Sequence, residues 1–587
     1  MLSIDFQRDA FISLYAKMIL RDRYQLKEEN SPQEAFARAA EAFSDSPEMA
    51  QRIYNYASNL WFMFSTPILS NGGSSRALPI SCYLNYVPDS REGLTGHYTE
   101  NAFLSSLGGG IGGYWGDVRS VGSKTSKGSE STGIIPFIKV VDAEVLAFSQ
   151  GVTRRGSYAA YLDIDHPEIE EFLDMRKPSG GDVNRKALNI HHGVVLNDKF
   201  MRLIEQSSKA PGYEDSFPLI DPHSKKTIKT VKAKDLWIKI LQNRMETGEP
   251  YILFKDAVAR GQPIFHRERN LEVKQSNLCS EITLPTNEKR TAVCCLSSVN
   301  LEKWDEWKEN EFFLPDLVRF LDNVITSFVE NAPSNLEKAV YSAIRSRDLG
   351  IGAMGFHALL QKKNIPFESA LAKGLNIQIF RQIKEKAFLA TQILAKERGE
   401  APDAKGYGVR NAHVLAIAPN ASTSIICGNT SPGVDPFRAN TFSQKTLNGT
   451  NILKNKFLKN LLQEKGRDTI EVWESIIHHS GSVQHLDFLS EYQKKIFKTA
   501  MEIDQRWVVE LAGDRQKYIC QSQSINLFFP ANVHKKELHG VHLLAWKRGL
   551  KSLYYCRSEA IKRADNISYA RNEDKNLEEP TCIACEG

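Results

Sequence analysis

Through the first 65 residues, apolar positions recur with helical spacing. Ala35–Phe43 is an alanine- and glutamate-rich run, and Met49–Phe62 repeats apolar residues at helical intervals, so both predict helices. Ser31-Pro32-Gln33-Glu34 reads as a helix start, with Ser31 as N-cap, Pro32 at the first helical position and Glu34 placed to close a capping box. From Thr66 to Gly156 the texture changes to glycine- and serine-rich loops between short apolar runs, with mobile-looking polar loops at 123–132 and 151–156. From Asp163 to about Phe529, helical patterns alternate with short strands, as α/β folds require. Ile169–Met175 and Asp235–Met245 predict amphipathic helices, residues 375–397 a long packing helix, and Ser524–Phe529 the last clear strand. Arg563–Gly587 is polar and nearly devoid of large apolar residues, which predicts a flexible tail.

Length and composition narrow the class. At 587 residues the chain can hold several average domains, or one large α/β domain with helical additions. With 42% hydrophobic and 25% charged residues it reads as an ordinary globular protein rather than a disordered one. A net charge of +5 over this length is too small to imply nucleic-acid binding. No apolar run reaches the roughly 18–20 residues of a membrane helix, and Met1–Arg8 lacks the pattern of a secretory signal, so a cytoplasmic location is expected by default. Nine cysteines, an odd number and widely scattered, argue against a disulfide framework. Cys427, Cys520 and Cys556 read as small buried hydrophobes, as does Cys295, because neighbouring cysteines cannot easily both face one site.

The candidate chemistry centres on Asn277-Leu278-Cys279-Ser280-Glu281, followed by Cys294. In an extended or looped backbone, residues i, i+2 and i+4 point the same way, which would turn an amide, a thiol and a carboxylate towards one pocket. That set suits sulfur-based redox or radical chemistry on a hydroxylated substrate. Gly108-Gly109-Gly110-Ile111-Gly112-Gly113 permits tight turns and close backbone approach to a ligand. Pro419-Asn420-Ala421-Ser422-Thr423-Ser424 reads equally as a phosphate-binding helix start or as a plain cap. Cys82, after a Gly/Ser-rich loop, is a small buried residue or a second thiol of the site. Tyr554 and Tyr555 are a buried strand with polar tips, unless the site needs a phenol chain to carry an electron and proton. The terminal Cys582-Ile583-Ala584-Cys585 admits half a zinc site, a redox dithiol or coincidence. No further ligands lie nearby, and 19 extended residues from Arg563 reach roughly 60–70 Å, so a mobile dithiol is the preferred reading.

Together these segments resemble the large catalytic subunit of class I ribonucleotide reductases. The resemblance runs from about Arg23 to Gly587 and keeps the family's order. It includes Ser65-Thr66-Pro67, Glu246-Thr247-Gly248-Glu249-Pro250-Tyr251, Asn277 to Glu281, Ala292-Val293-Cys294, Arg347 to Gly352, Pro419 to Ser424 and Gln521-Ser522-Gln523-Ser524. It implies a ten-stranded α/β barrel (residues 66–562) with a central loop carrying the radical cysteine. A helical region (1–65) precedes the barrel and a redox tail (563–587) follows it. By resemblance, Cys279 is the thiyl radical that abstracts the ribose 3′-hydrogen, Glu281 takes the 3′-hydroxyl proton and Asn277 holds the hydroxyls. Cys82 and Cys294 supply two electrons and end as a disulfide, which Cys582 and Cys585 reduce, themselves recharged by thioredoxin or glutaredoxin. Tyr554 and Tyr555 match the dyad that receives the radical from a separate small subunit holding the metal. Thr66, Ser81, Gly110, Asn420, Ala421, Ser422, Thr423 and Ser424 match substrate-binding positions. The specificity site, within residues 85–156, matches Asp89, Arg119 and the loops at 123–127 and 150–156, where Arg154 and Arg155 both fit the family's one substrate-facing arginine. A homodimer is implied, with a nucleotide effector (dNTP or ATP) bound and no metal in this chain; a nucleoside diphosphate is the implied substrate.

Two departures stand out. About twenty residues precede the similarity, too few for the family's ATP-cone, so dATP is expected not to switch the activity off through such a module. The tail pair is also closer than in many relatives. So compact a chain resembles reductases carried by bacterial viruses. The rivals are an adenosylcobalamin-dependent reductase, which needs no tyrosine relay, and a glycyl-radical relative, whose flanking sequence Gly587 lacks. An inactive nucleotide-binding regulator would have shed the chemistry residues, and a dithiol oxidoreductase would leave the barrel motifs without purpose.

Overall fold

The computed structural model describes residues 2–80, 82–148, 156–210, 212–446 and 449–558. Helices Leu14–Arg23, Pro32–Ala42 and Pro47–Ser58 build the N-terminal layer. The expected capping box is present: the Ser31 side chain accepts from the backbone while Glu34 accepts the Ser31 N–H at 2.9 Å. The helix expected to reach Phe62 instead ends at Ser58. Leu60 turns into the left-handed region (φ 59°), and Phe62–Phe64 becomes a short strand antiparallel to Val299–Ser297. For an aromatic run, pairing onto a buried sheet outweighs helical periodicity.

The centre is a closed barrel built in two halves. Strands β1 (Cys82–Tyr86), β2 (Gly110–Tyr114), β3 (Ser157–Asp163), β4 (His191–Leu196) and β5 (Tyr251–Phe254) are parallel in that order. The second half begins with β6 (Ala292–Asn300) and β7 (Leu349–Met354), also parallel to each other. It continues through the bridge-forming segment β8 (414–417), through β9 (521–529, regular only at Leu527–Phe529) and through β10 (551–558, regular at Ser552–Leu553 and Cys556–Ser558), joined by the bridges Ile351–Leu415 and Ile417–Gln523 and by the parallel register Leu527–Cys556. The halves meet antiparallel at both seams, β1 against β6 and β5 against β10. Ten strands enclose more space than eight, which side chains alone can fill. Here the extra room admits a loop. Helices cover the outside, among them Ala233–Thr247 and the long Ala370–Arg398, both close to the segments predicted from periodicity. Among the described residues, no helix is long and apolar enough to cross a membrane.

One buried carboxyl outside the centre makes the fold pH-sensitive. Desolvation pushes Asp435 up to about 6, although Asn526 donates to it at 2.6 Å. Its folded value lies above the ordinary one, so between about pH 4 and 6 the folded chain holds a proton that the unfolded chain has lost. Stability should therefore fall as pH rises through that window, by on the order of 3 kcal/mol, and level off above it. Denaturant titrations at pH 4.5 and 7 check this; Asp435→Asn should flatten the slope and stabilise the protein at pH 7.

Candidate active site

Residues 274–286 cross the barrel interior as a loop, and that passage explains Gly112 of β2. A Cβ at Gly112 would stand 1.9 Å from Ser276 O and 2.9 Å from Asn277 Cα, and one at Gly113 would collide with the Tyr158 ring. Gly112 is thus a berth for the chain's own backbone rather than for a ligand, as its position in a glycine run alone suggested. A buried loop must satisfy its backbone polar groups. Gln275 donates to Asn85 O at 2.9 Å, Tyr161 Oη to Asn277 O at 2.7 Å and Ser552 Oγ to Ser280 O at 2.6 Å. From β9, Ser522 N donates to Glu281 O at 2.8 Å and Ser524 Oγ to Cys279 O at 2.5 Å, while Gln521 Oε1 accepts from Thr283 N.

At its tip the loop is a turn, not an extended strand. Ser280 N donates back to Asn277 O at 3.3 Å, and Ser280 lies in the left-handed region at φ 66°. Strict i, i+2, i+4 alternation therefore fails, and the turn itself brings the ends together. Asn277 Nδ2 donates to Glu281 Oε1 at 2.9 Å, and Ser524 Oγ stands 3.1 Å from Glu281 Oε2. Asn277 Nδ2 also lies 4.0 Å from Cys82 Sγ. Cys279 is 5% exposed and belongs to one apolar cluster with Tyr114, Tyr161, Tyr251, Tyr554 and Tyr555.

Cys82 and Cys294 are direct cross-strand partners on the β1–β6 seam. Directly opposed antiparallel residues have Cα atoms about 4.5–5.5 Å apart with side chains on one face, within the span a disulfide accepts. Both lie in one buried cluster with Ile282 and Leu284 of the loop, whereas Cys295 faces the main core, as strand alternation requires. Desolvation pushes the Cys294 thiol well above its ordinary value, which keeps it protonated, and Gln521 Nε2 donates to its sulfur at 3.4 Å. Gly350 of β7 leaves room there: its Cβ would stand 3.2 Å from Cys294 Sγ.

Tyr554 and Tyr555, in the irregular step between Ser552–Leu553 and Cys556–Ser558, have ring centroids 4.3 Å apart, and Tyr251 of β5 touches both, at 4.8 and 5.1 Å. Asn420 caps helix Ala421–Ile426 in a left-handed conformation (φ 56°), with Ser422, Thr423 and Ser424 buried in its first turns. That helix packs against Leu14–Arg23 and the strand Phe62–Phe64, and Tyr24 Oη shares a 3.1 Å hydrogen bond with Thr66 Oγ1. Gly110 is the β2 partner of Cys82. Asp89 and Arg119 form an ion pair at 2.9 Å, and Arg119 also donates to Lys124 O. Ser81, Arg154, Arg155, Cys582 and Cys585 lie outside the described residues. Gln521, Ser524, Ser552 and Tyr251 were not singled out as site residues. The available signal was a run of small polar residues, Gln521 to Ser524, in what should be a barrel strand.

Comparison with known proteins agrees with this geometry. Residues 80–404 and 401–556 match the ribonucleotide reductase barrel domain, and residues 10–77 match the ribonucleotide reductase all-alpha domain. A protein of Frog virus 3 is 48% identical over 94% of this chain and 95% of its own length. The ribonucleoside-diphosphate reductase large subunit of Invertebrate iridescent virus 3 is 43% identical over 100% of both chains. Among solved structures, the Actinobacillus ureae class Id ribonucleotide reductase alpha subunit superposes with a TM-score of 0.83 at 37% identity, covering 95% of this chain and 98% of that one. The barrel, the loop within it and these matches agree: the chain belongs to the family of ribonucleotide reductase large subunits.

Proposed function

We propose that this chain is the catalytic subunit of a class I ribonucleoside-diphosphate reductase, and that its loop thiol Cys279 works as a thiyl radical. The observation that carries the reading is the convergence on one loop: a buried sulfur beside a tyrosine cluster, a carboxylate–amide pair, and an opposed thiol pair within reach of that amide. Cys279 takes a hydrogen atom from the ribose 3′-carbon, Glu281 accepts the 3′-hydroxyl proton and Asn277 orients the hydroxyls. Loss of the 2′-hydroxyl as water consumes two electrons and protons from Cys82 and Cys294, leaving a disulfide. The tail thiols Cys582 and Cys585, on an arm spanning 563–587, reduce that disulfide and are recharged by thioredoxin or glutaredoxin. Thr66, Ser81, Gly110 and Asn420 to Ser424 bind the diphosphate and sugar. Asp89, Arg119 and one of Arg154 and Arg155 serve the effector site of a homodimer in the cytoplasm. The metal that generates the radical belongs to the small subunit, and the helical region (1–65) and barrel (66–562) form one working unit.

The test is deoxynucleotide formation from a ribonucleoside diphosphate with the cognate small subunit, an effector and a dithiol. Turnover should require the small subunit and vanish in Tyr554→Phe, whose ring packs identically but has no phenol proton. Turnover supported by adenosylcobalamin alone, insensitive to that substitution, would overturn the class I reading.

A further inference from the structure

At the more exposed end of the tyrosine pair the barrel holds a polar unit that the chemistry above does not use. β4 and β5 are parallel neighbours in the register Gly193–Tyr251, and Glu249, just before β5, meets His191 at the start of β4. Tyr251 stacks on the His191 ring at 6.0 Å and 19°. Next to β5, β10 runs antiparallel in the register Leu553–Ile252, which carries Tyr555 to the same level of the wall. There Tyr555 Oη lies 3.4 Å from His191 Nδ1, and the same nitrogen bonds Glu249 Oε1 at 2.5 Å.

The chemistry of Glu249 decides which way these bonds run. Burial pushes its carboxyl up, but Arg176, His191 and His192 outweigh that and hold it well below the ordinary range. An ionised carboxylate only accepts, so Nδ1 carries the imidazole proton. His192 Nδ1 and N bind the other carboxylate oxygen at 3.1 Å each, which fixes the carboxylate plane. The Nδ1–H therefore points first at Glu249, and the Tyr555 oxygen, 3.4 Å away, takes its longer branch. Tyr555 then accepts at one lone pair, and its own proton is not taken by the imidazole. Over the Tyr555 ring sits the Arg557 guanidinium, 4.2 Å from its centroid. A cation so close penalises a tyrosine that has lost an electron but not its proton. A neutral phenoxyl, hydrogen-bonded at oxygen, escapes that penalty.

We propose that His191, oriented by Glu249, is a positioning residue for Tyr555: its Nδ1–H holds the phenol oxygen and stabilises the neutral phenoxyl at the entrance of the relay. The inference rests on Tyr554 and Tyr555 being the radical path. In the oxidation step Tyr555 gives one electron to the oxidised residue presented by the small subunit. The phenol proton leaves with that electron to the same acceptor, and both return from Tyr554.

The experiment uses the full chain with its small subunit, substrate and effector, with 3-aminotyrosine at position 555 to trap the radical. Electron–nuclear double resonance in H2O and D2O should detect an exchangeable hydrogen-bonding proton in the His191 protein. It should persist in His191→Asn, whose side-chain N–H reaches the same place, and disappear in His191→Leu. With natural Tyr555, His191→Leu should lower kcat roughly 10–100-fold at unchanged KM, and His191→Asn should restore most of it. A trapped radical without that proton in the His191 protein overturns the inference, whether or not the leucine variant folds. So does a leucine variant with unaltered coupling and turnover. Full activity in Tyr555→Phe would instead sink the tyrosine path itself, a distinguishable failure.

Discussion

Replacing Cys279 with serine should abolish ribonucleotide reduction, a loss on the order of 10^4-fold or more, as expected when the one reacting atom of a catalytic unit is removed. The O–H bond of serine is stronger than the S–H bond of cysteine. A tyrosine radical that can oxidise a thiol therefore cannot make an alkoxyl. Size is nearly conserved, and the backbone bond from Ser524 Oγ to Cys279 O is untouched by the change. Substrate and effector binding should survive, so equilibrium nucleotide binding separates lost chemistry from a lost fold. Measurable deoxynucleotide formation by this variant, with small subunit present, would show that another atom does the abstraction.

The second large effect is structural. Gly112→Ala should displace the loop, because the new methyl would stand 1.9 Å from Ser276 O, and neither backbone can yield without breaking the barrel's hydrogen bonds. Overpacking of this kind typically costs about 1–3 kcal/mol, and a reacting group misplaced by about 1 Å can lose about 10²-fold in rate. Denaturant titration should register a loss of stability and the reductase assay a steep fall in kcat. Gly96→Ala provides the control, since nothing lies within 4 Å of its added methyl. Equal behaviour of the two variants would mean that the loop does not lean on β2.

The barrel also explains why its wall carries so many small polar residues. A loop through an apolar interior would strand its N–H and C=O groups, each costly when unpaired. Gln521, Ser522, Ser524, Ser552 and Tyr161 supply the missing partners. The same residues fix where Cys279 and Glu281 stand, so in the proposed mechanism one set of bonds would serve both folding and chemistry.

Much of this was readable along the chain. The capping box at Ser31, the long amphipathic helix near 375–397 and the α/β alternation follow from local periodicity and capping chemistry, which the fold left intact. That Asn277 and Glu281 meet was expected from strand-like alternation, but a turn at Ser280, not that alternation, brings them together. Other features required the tertiary structure. The end of the Pro47–Ser58 helix depends on a strand partner more than 230 residues away in sequence, Val299–Ser297. The opposition of Cys82 and Cys294 depends on a seam between two half-barrels, and the purpose of Gly112 on a loop arriving from residue 276. Local spacing encodes which way a side chain leans and where a helix starts, since those energies act between near neighbours. Which distant groups meet is decided only when strand register and barrel closure bring them together.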